Sequence, residues 1–223
     1  MILIGQYDSP FVRRVAIALR LYGLPFEHKP WSTFGDADKI APYNPLRRVP
    51  TLVLDGGEAL IESAMILDYL DELAGPDKAM IAPRGEARRR HLRICALAMG
   101  LGDKGVSLLY ERVLRKEQLQ LWVERCKSQI GGVLAALEKE RAAVKTPYWF
   151  GERDRSRRYR GCLRAALHRR GASRAVRRAL SRAAGPRRAL RGAAAVSGDI
   201  AAARSAEGVM PLFAVAADRQ FAP

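Results

Sequence analysis

The chain has 223 residues, 48% of them hydrophobic, which is enough for one or two ordinary domains with a real core. No apolar run approaches the roughly 20 residues of a membrane helix, and Met1-Ile2-Leu3-Ile4, followed at once by Gln6, Tyr7 and Asp8, is too short for a secretory leader. The net charge of +16 would point to nucleic acid or an anionic membrane, but its distribution does not. Residues 1–152 hold 22 Lys+Arg against 19 Asp+Glu, whereas residues 153–223 hold 17 Arg, no Lys and four acids. The basic character belongs to the tail. Three cysteines (Cys95, Cys126 and Cys162), odd in number and without Cys-x-x-Cys spacing, read as reduced thiols of a cytoplasmic protein.

In chain order, residues 1–5 form a short apolar strand and residues 11–21 a helix, with Val12, Val15, Ala16 and Leu19 as its buried stripe. Ser9-Pro10 opens that helix with a cap residue and a proline at its first position, and Tyr22-Gly23-Leu24-Pro25 stops it. A second strand over 26–29 and a weak helical segment over 36–40 follow. Pro42 and Pro45 then keep the chain extended towards Val49-Pro50-Thr51-Leu52, which enters a hairpin through Gly56-Gly57. The return strand, Leu60-Ile61, delivers Glu62 and Ser63 to the mouth of another helix. Ser63 is expected to be its N-cap, so that the first N–H groups there present a partial positive charge to an anionic ligand. Two helix mouths, each preceded by a strand, suggest one ligand held between them. After a linker over 77–85, helical periodicity runs from 86 to 110 and again over 116–143. The second helix is expected to bury Trp122, Cys126, Ile130, Val133, Leu134 and Leu137.

Ser9-Pro10-Phe11 with Arg13-Arg14, Asn44-Pro45-Leu46, Val49-Pro50-Thr51-Leu52 and Glu62-Ser63 with Ile66 and Tyr69-Leu70 are each weak signals alone. In this order within 70 residues they resemble the glutathione transferase family. Residues 1–76 look like its thioredoxin-like α/β domain, and residues 86–152 look like the start of its all-helical C-terminal domain. The resemblance implies a cytoplasmic, homodimeric detoxification enzyme that joins the thiolate of glutathione to an electrophilic small molecule, with glutathione as co-substrate and no metal. His28, His91 and His168 are too scattered for a metal site, and no cysteine stands at position 9 to exchange disulfides.

By the same resemblance, Val49-Pro50 is a cis peptide bond that turns the Val49 backbone outward to pair with the cysteinyl part of glutathione. Glu62 then pairs with the γ-glutamyl ammonium, Ser63 binds its carboxylate, and Arg48 neutralises the glycyl carboxylate. Ser9 is the hydroxyl donor that favours the thiolate, which is the nucleophilic form of a group that otherwise titrates near pH 8.5. Plainer readings stand beside these. Ser9 could only cap its helix, Glu62 could be a solvated acid, Arg47 is as good a surface cation as Arg48, and Tyr7 is a rival hydroxyl. Trp31 or Lys39 could line the same pocket, and Arg88-Arg89-Arg90-His91-Arg93 reads as a solvated helix face before it reads as a phosphate site.

The resemblance stops near residue 152. The family continues with a capped, apolar helix containing a buried Asp, whereas this chain has Arg155-Ser156-Arg157-Arg158-Tyr159-Arg160, with no apolar stripe. Codons that encode residues 154–168, read one base later, permit an apolar helix with that Asp restored. Residues from about 154 to at least 200 are therefore expected to be a frameshifted translation, and the Arg/Ala-rich tail over 153–223 to pack poorly. Two alternatives in other classes remain. One is a non-catalytic module of the same fold that binds glutathione or a partner; the other is nucleic-acid binding through the Arg-rich tail. The near absence of aromatics from that tail disfavours the latter.

Overall fold

A computed structural model describes residues 1–146 and Trp149. The tail over 153–223, its expected poor packing and the proposed frameshift lie outside the described residues. The first half is a four-stranded sheet in the order β2-β1-β3-β4. Strand β1 is Ile2–Ile4, β2 Glu27–Lys29, β3 Thr51–Val53 and β4 Ala59–Ile61. β1 runs parallel to β2 and antiparallel to β3, and β3 runs antiparallel to β4. Helix α1 (Pro10–Tyr22) joins β1 to β2, the one-turn α2 (Ala37–Ile40) precedes β3, and α3 (Ser63–Ala74) follows β4.

Alternation along the strands divides the sheet into two apolar faces. Leu3 and Leu52 face α1 and α3, meeting Val12, Val15, Ala16 and Leu19 from the first helix and Ile66, Leu67 and Leu70 from the second. Ile4 and Val53 face the other way, onto Ile40, Trp31 and Tyr43. The stripe read from α1 is completely buried at all four positions. Gly23 ends that helix in the left-handed conformation (φ 69°), where its N–H reaches back to Arg20 while Leu24 N–H bonds Leu19 C=O.

The connection out of this domain is a buried strap. Residues 79–82 are all buried. Asp71 of α3 accepts from Met80 N–H at 3.3 Å and Ile81 N–H at 3.2 Å. Tyr22 of α1 donates its hydroxyl to the same carboxylate and accepts from Met80 N–H at 2.9 Å. Ala82 N–H donates to Nδ1 of His91 at 3.1 Å. Every backbone donor from 80 to 82 thus has a side-chain acceptor, which is what allows a segment without regular structure to be buried.

Helices α4 (Gly85–Leu114) and α5 (Gln120–Ala142) pack as an antiparallel pair. Arg93 pairs with Glu140 near one end, and Leu119 N–H donates to Glu111 at 2.8 Å near the other. Ile94, Cys95, Ala98 and Leu101 of α4 meet Leu134 and Leu137 of α5. Two expectations need correction. α5 starts at Gln120 and not at 116, because the buried Glu111 carboxylate captures Leu119 N–H and the Arg115 guanidinium, which shapes 115–119 into a turn. Val123, not Trp122, is the buried residue of its first turn, while Trp122 is half-buried with Lys104 over its ring at 5.4 Å. In the arginine run, Arg88 pairs with Asp68, Arg89 with Glu86 and Arg93 with Glu140, as a solvated helix face does. His91 departs from it by turning inward to the strap.

Candidate functional site

The site begins where β1 ends. Gly5 has φ +130°, and a Cβ placed there would lie 2.6 Å from Val12 Cγ2 and 2.7 Å from Val49 Cβ. Only glycine lets the end of β1, the first turn of α1 and the 44–50 loop come this close. Asn44, 2% exposed, holds that loop in shape. Its amide donates to Arg48 C=O at 2.9 Å and to Thr51 Oγ1 at 3.1 Å, and its carbonyl accepts from Leu46 N–H at 3.0 Å. The Val49-Pro50 peptide bond is cis, as expected. Among the described residues, neither the N–H nor the C=O of Val49 has a hydrogen-bond partner. Open backbone groups of this kind are what an extended peptide needs in order to pair.

A cleft lies above this segment, lined by Phe11, Asn44, Arg48, Val49, Pro50, Glu62, Ser63 and Met99. Its enclosed part is about 30 Å3. That is room for one water, so a larger ligand would lie along the cleft, mostly outside the enclosed part. The structure therefore brings together Arg48, Val49, Pro50, Glu62 and Ser63, which lie in two separate stretches of sequence. Arg48 Nη1 is 3.3 Å from Glu62 Oε1 across the opening, with the two side chains 62% and 49% exposed.

Ser63 is not the N-cap of α3 but its first helical residue. The cap position is taken by Glu62, which has φ +64°, a conformation that L-residues adopt at a cost, and which makes no side-chain cap bond. The Glu62 carboxylate is thus turned to the cleft opening instead of to the helix. The first turn of α3 contains no acidic residue to offset its positive end. Ser63 is 2% exposed, and its Oγ accepts from Arg14 Nη1 at 3.4 Å.

Ser9 is the N-cap of α1, its Oγ accepting from Val12 N–H at 3.3 Å, and the two first turns share the absence of acids. It is not among the residues that line the cleft, although Phe11, two residues on, is. The cap bond uses an Oγ lone pair and leaves the hydroxyl hydrogen to be donated. Tyr7 is 8% exposed and stacks on His28, with ring centroids 3.9 Å apart and planes within 11° of parallel. Trp31 and Lys39 lie elsewhere. Trp31 packs against Tyr43, with Lys29 over its ring, and Lys39 pairs with Asp36 at 2.7 Å. That contact, together with Ser32 N–H, holds the Asp36 carboxyl below its ordinary value of 3.8. Among the described residues no cluster of His, Cys, Asp or Glu is arranged to hold a metal ion.

Besides Phe11, which was quoted only as part of a motif, three lining or supporting residues had no assigned role in the sequence. Asn44 stood inside a quoted motif, and an Asn before Pro that leads into an X–Pro turn is the signal that would have singled it out. Arg14 is signalled only by a charge falling on the buried side of α1. Met99 comes from α4 and nothing local marks it.

The sequence profile of the glutathione S-transferase N-terminal domain family matches residues 3–78. An uncharacterised GST-like protein of Escherichia coli K12, YibF, is 37% identical over 113 residues, covering 50% of this chain and 55% of that protein. A probable glutathione S-transferase of Nicotiana tabacum is 30% identical, covering 62% and 58%. The chain thus spans only between about half and three fifths of these relatives' length. Among solved structures, a glutathione transferase family member from Pseudomonas fluorescens Pf-5 with bound glutathione is 25% identical at a TM-score of 0.67, covering 96% of this chain and 97% of that one. A glutathione S-transferase from Methylobacterium radiotolerans in complex with glutathione sulfonate is 26% identical at 0.65, covering 97% and 93%.

Proposed function

Because the chain belongs to the glutathione S-transferase family, we propose that it binds glutathione in the cleft between Val49 and Ser63 and transfers the glutathione thiolate to an electrophilic small molecule. The observation that carries the reading is the convergence of the cis Val49-Pro50 segment, with its open backbone groups, and the Glu62–Ser63 helix mouth in one cleft. The cysteinyl unit pairs with Val49 as an added strand. The γ-glutamyl ammonium meets the Glu62 carboxylate, while its carboxylate meets the α3 N-terminus at Ser63, so that opposite charges sit at opposite poles of one amino-acid group. Arg48 currently pairs with Glu62. When the ligand ammonium takes its place, Arg48 is released towards the glycyl carboxylate, and because both side chains are exposed the exchange is inexpensive.

Ser9 donates its hydroxyl hydrogen to the sulfur while keeping its cap bond, and the positive end of α1 adds to the same effect. Both favour the anion, and so the nucleophile, at neutral pH. Phe11 and Met99 give the cleft an apolar flank on the side of the helical pair, where the electrophile is held. The enzyme works as a homodimer, and no step requires a metal.

Thermal unfolding with and without glutathione tests the reading. Ligand at about a hundred times its dissociation constant stabilises the native state by about 2.7 kcal/mol. The expected upward shift disappears in Glu62→Ala. No shift in the parent protein would overturn the proposal. A shift without turnover of a generic aryl halide would make the chain a non-catalytic glutathione-binding module. The out-of-frame origin of residues from about 154 is tested by resequencing the DNA across 152–168, where an unbroken match to the present frame rejects it.

A further inference from the structure

We propose that Phe34 and Tyr110 shut the far end of the space in which the electrophile lies, so that the site takes a single aromatic ring and rejects two-ring electrophiles; the inference rests on the function proposed above. Phe34, in the loop between β2 and α2, meets Tyr110 of α4 edge to face, with ring centroids 5.5 Å apart and planes at 80°. The loop is shaped to deliver it. Ser32 N–H donates to the Asp36 carboxylate at 2.9 Å, Asp36 N–H returns to Ser32 C=O at 2.8 Å, and Phe34 N–H donates to Ser32 Oγ at 3.3 Å. Phe34 keeps 51% of its surface exposed even so. One exposed apolar ring needs no explanation by itself. Its position relative to the cleft does.

The strand register puts Lys29, Ile4, Thr51 and Ile61 in one row across an edge of the sheet. The loop that carries Phe34 leaves this row from β2 and the turn that carries Ser9 leaves it from β1, while Val49-Pro50 and Glu62-Ser63 adjoin it at β3 and β4. Helix α4 passes over the row. Its Arg88 pairs with Asp68 of α3, its Met99 lines the cleft with Val49 and Ser63, and its Tyr110 reaches Phe34. Met99 and Tyr110 are about three turns apart, on one face of the helix and about 16 Å from each other along it. Three strand spacings give the row about 14 Å. The two lengths match, so α4 lies along the row, with Met99 over its β3–β4 end and Tyr110 over its β2 end.

Ser9 follows β1, which lies between those ends. A sulfur held at Ser9 is therefore at least one strand spacing, about 5 Å, and at most half the span, about 8 Å, from the aromatic pair. That is room for one substituted ring and not for two. Val106, half-buried, stands on the same face of α4 between Met99 and Tyr110 and gives the span an apolar side. Asp103 shares that face and pairs with Lys104 at 3.0 Å. A ring carried on the sulfur meets Phe34 and Tyr110 at the far end, where edge-to-face and offset contacts favour an aromatic over an alkyl group of the same reach.

The test uses three unreactive conjugates, S-methylglutathione, S-phenylglutathione and S-(1-naphthyl)glutathione, titrated calorimetrically into the full chain and into Phe34→Ala. The parent should bind the phenyl conjugate about 10-fold more tightly than the methyl one, and the naphthyl conjugate more weakly than the phenyl one. In Phe34→Ala the phenyl preference should fall to about twofold, and the naphthyl conjugate should overtake the phenyl one because the far end is open. The methyl conjugate should bind both proteins alike, and Phe34→Tyr should keep the parent's ranking. An unchanged phenyl preference in Phe34→Ala overturns the proposal. Equal weakening of all three conjugates also overturns it, since the pair would then be only a clasp between the halves. Should Phe34→Ala lose its cooperative unfolding, the parent decides by itself, and a naphthyl conjugate bound more tightly than the phenyl one rejects the inference. A parent that does not bind S-methylglutathione overturns the glutathione site itself. That differs from a parent that binds all three conjugates equally, which rejects the role of Phe34 and Tyr110 alone.

Discussion

The sheet domain and the helical pair contribute to the cleft in opposite ways. From the sheet domain come Phe11, Asn44, Arg48, Val49, Pro50, Glu62 and Ser63, all of them on loops or helix mouths, and most of them, Phe11 excepted, acting through backbone groups or polar side chains. From the helical pair comes Met99, an apolar side chain in the middle of a 30-residue helix. The polar side of the site is built from conformations that short motifs specify: a cis X–Pro bond, a positive φ and a helix start. The apolar side joins Phe11 at the start of α1 to Met99, whose place depends on which point of a long helix is carried past the cleft by packing elsewhere.

The strap between the halves sharpens the contrast. It has no regular structure, yet it is buried, because Asp71, Tyr22 and His91 supply acceptors for its donors in succession. Two of these side chains belong to the sheet domain and one to α4. The halves are therefore set against each other by hydrogen bonds with fixed geometry as well as by apolar contact.

The largest expected effect is at Gly5. In Gly5→Ala the new methyl meets Val12 and Val49 at a backbone conformation that L-residues avoid, and a loss of about 3 kcal/mol is expected. Chemical denaturation should show it together with loss of the glutathione-induced shift. A variant that is destabilised but still binds would separate the cleft from the strand end that supports it.

Ser9→Ala should lower turnover about 100-fold, some 2.7 kcal/mol of transition-state stabilisation, with glutathione affinity changed far less. Tyr7→Phe should leave turnover within about twofold. The reverse pattern, read from aryl-halide conjugation rates, would give the donor role to Tyr7.

Asp71→Asn keeps one acceptor oxygen where the strap and Tyr22 need two. A loss of about 1.5 kcal/mol is expected. It should appear as earlier unfolding of the sheet–helix junction in amide exchange at Met80 and Ile81, with ligand binding intact.

The smallest effect is at Asp36, whose carboxyl is held low chiefly by the Lys39 hydrogen bond and then by Ser32 N–H. A depressed carboxylate stabilises the fold above its ordinary value of 3.8 and loses that contribution as pH falls through its folded-state value. Asp36→Asn should therefore be a few tenths of a kcal/mol less stable than the parent at pH 7, and the two melting curves should converge as pH falls through the folded-state value, which lies below 3.8. A gap that persists in acid would mean that packing, not charge, is responsible.

Much of the sheet domain was legible because its determinants are local. The α1 stripe, the Gly23 stop, the hairpin around Gly56-Gly57 and the two helix mouths all follow from the period of apolar residues and from what Gly, Pro and Ser do to a backbone. Arg48, Val49, Pro50, Glu62 and Ser63, which stand in two of the motifs, line one cleft. Where local reading failed, a distant group had intervened. α5 starts four residues later than its periodicity suggested because Glu111 reaches across from α4 to take Leu119 N–H. Trp122 gave way to Val123 because Lys104 supplies a half-exposed seat for an indole. Ser63 lost the cap position because β4 feeds α3 through a left-handed Glu62.

What the sequence determined by itself, then, is the set of elements, the family they belong to and the motifs that form the X–Pro segment and the mouth of α3, since each rests on residues a few positions apart. What only the tertiary structure decided is how those groups are supported. The burial of Arg14 behind Ser63, the capture of the strap by Asp71 and His91, the Arg48–Glu62 pair across the opening and the arrival of Met99 at its flank each join residues from separate elements. Such pairings are set by how helices and strands pack, and no period or motif in the chain encodes them.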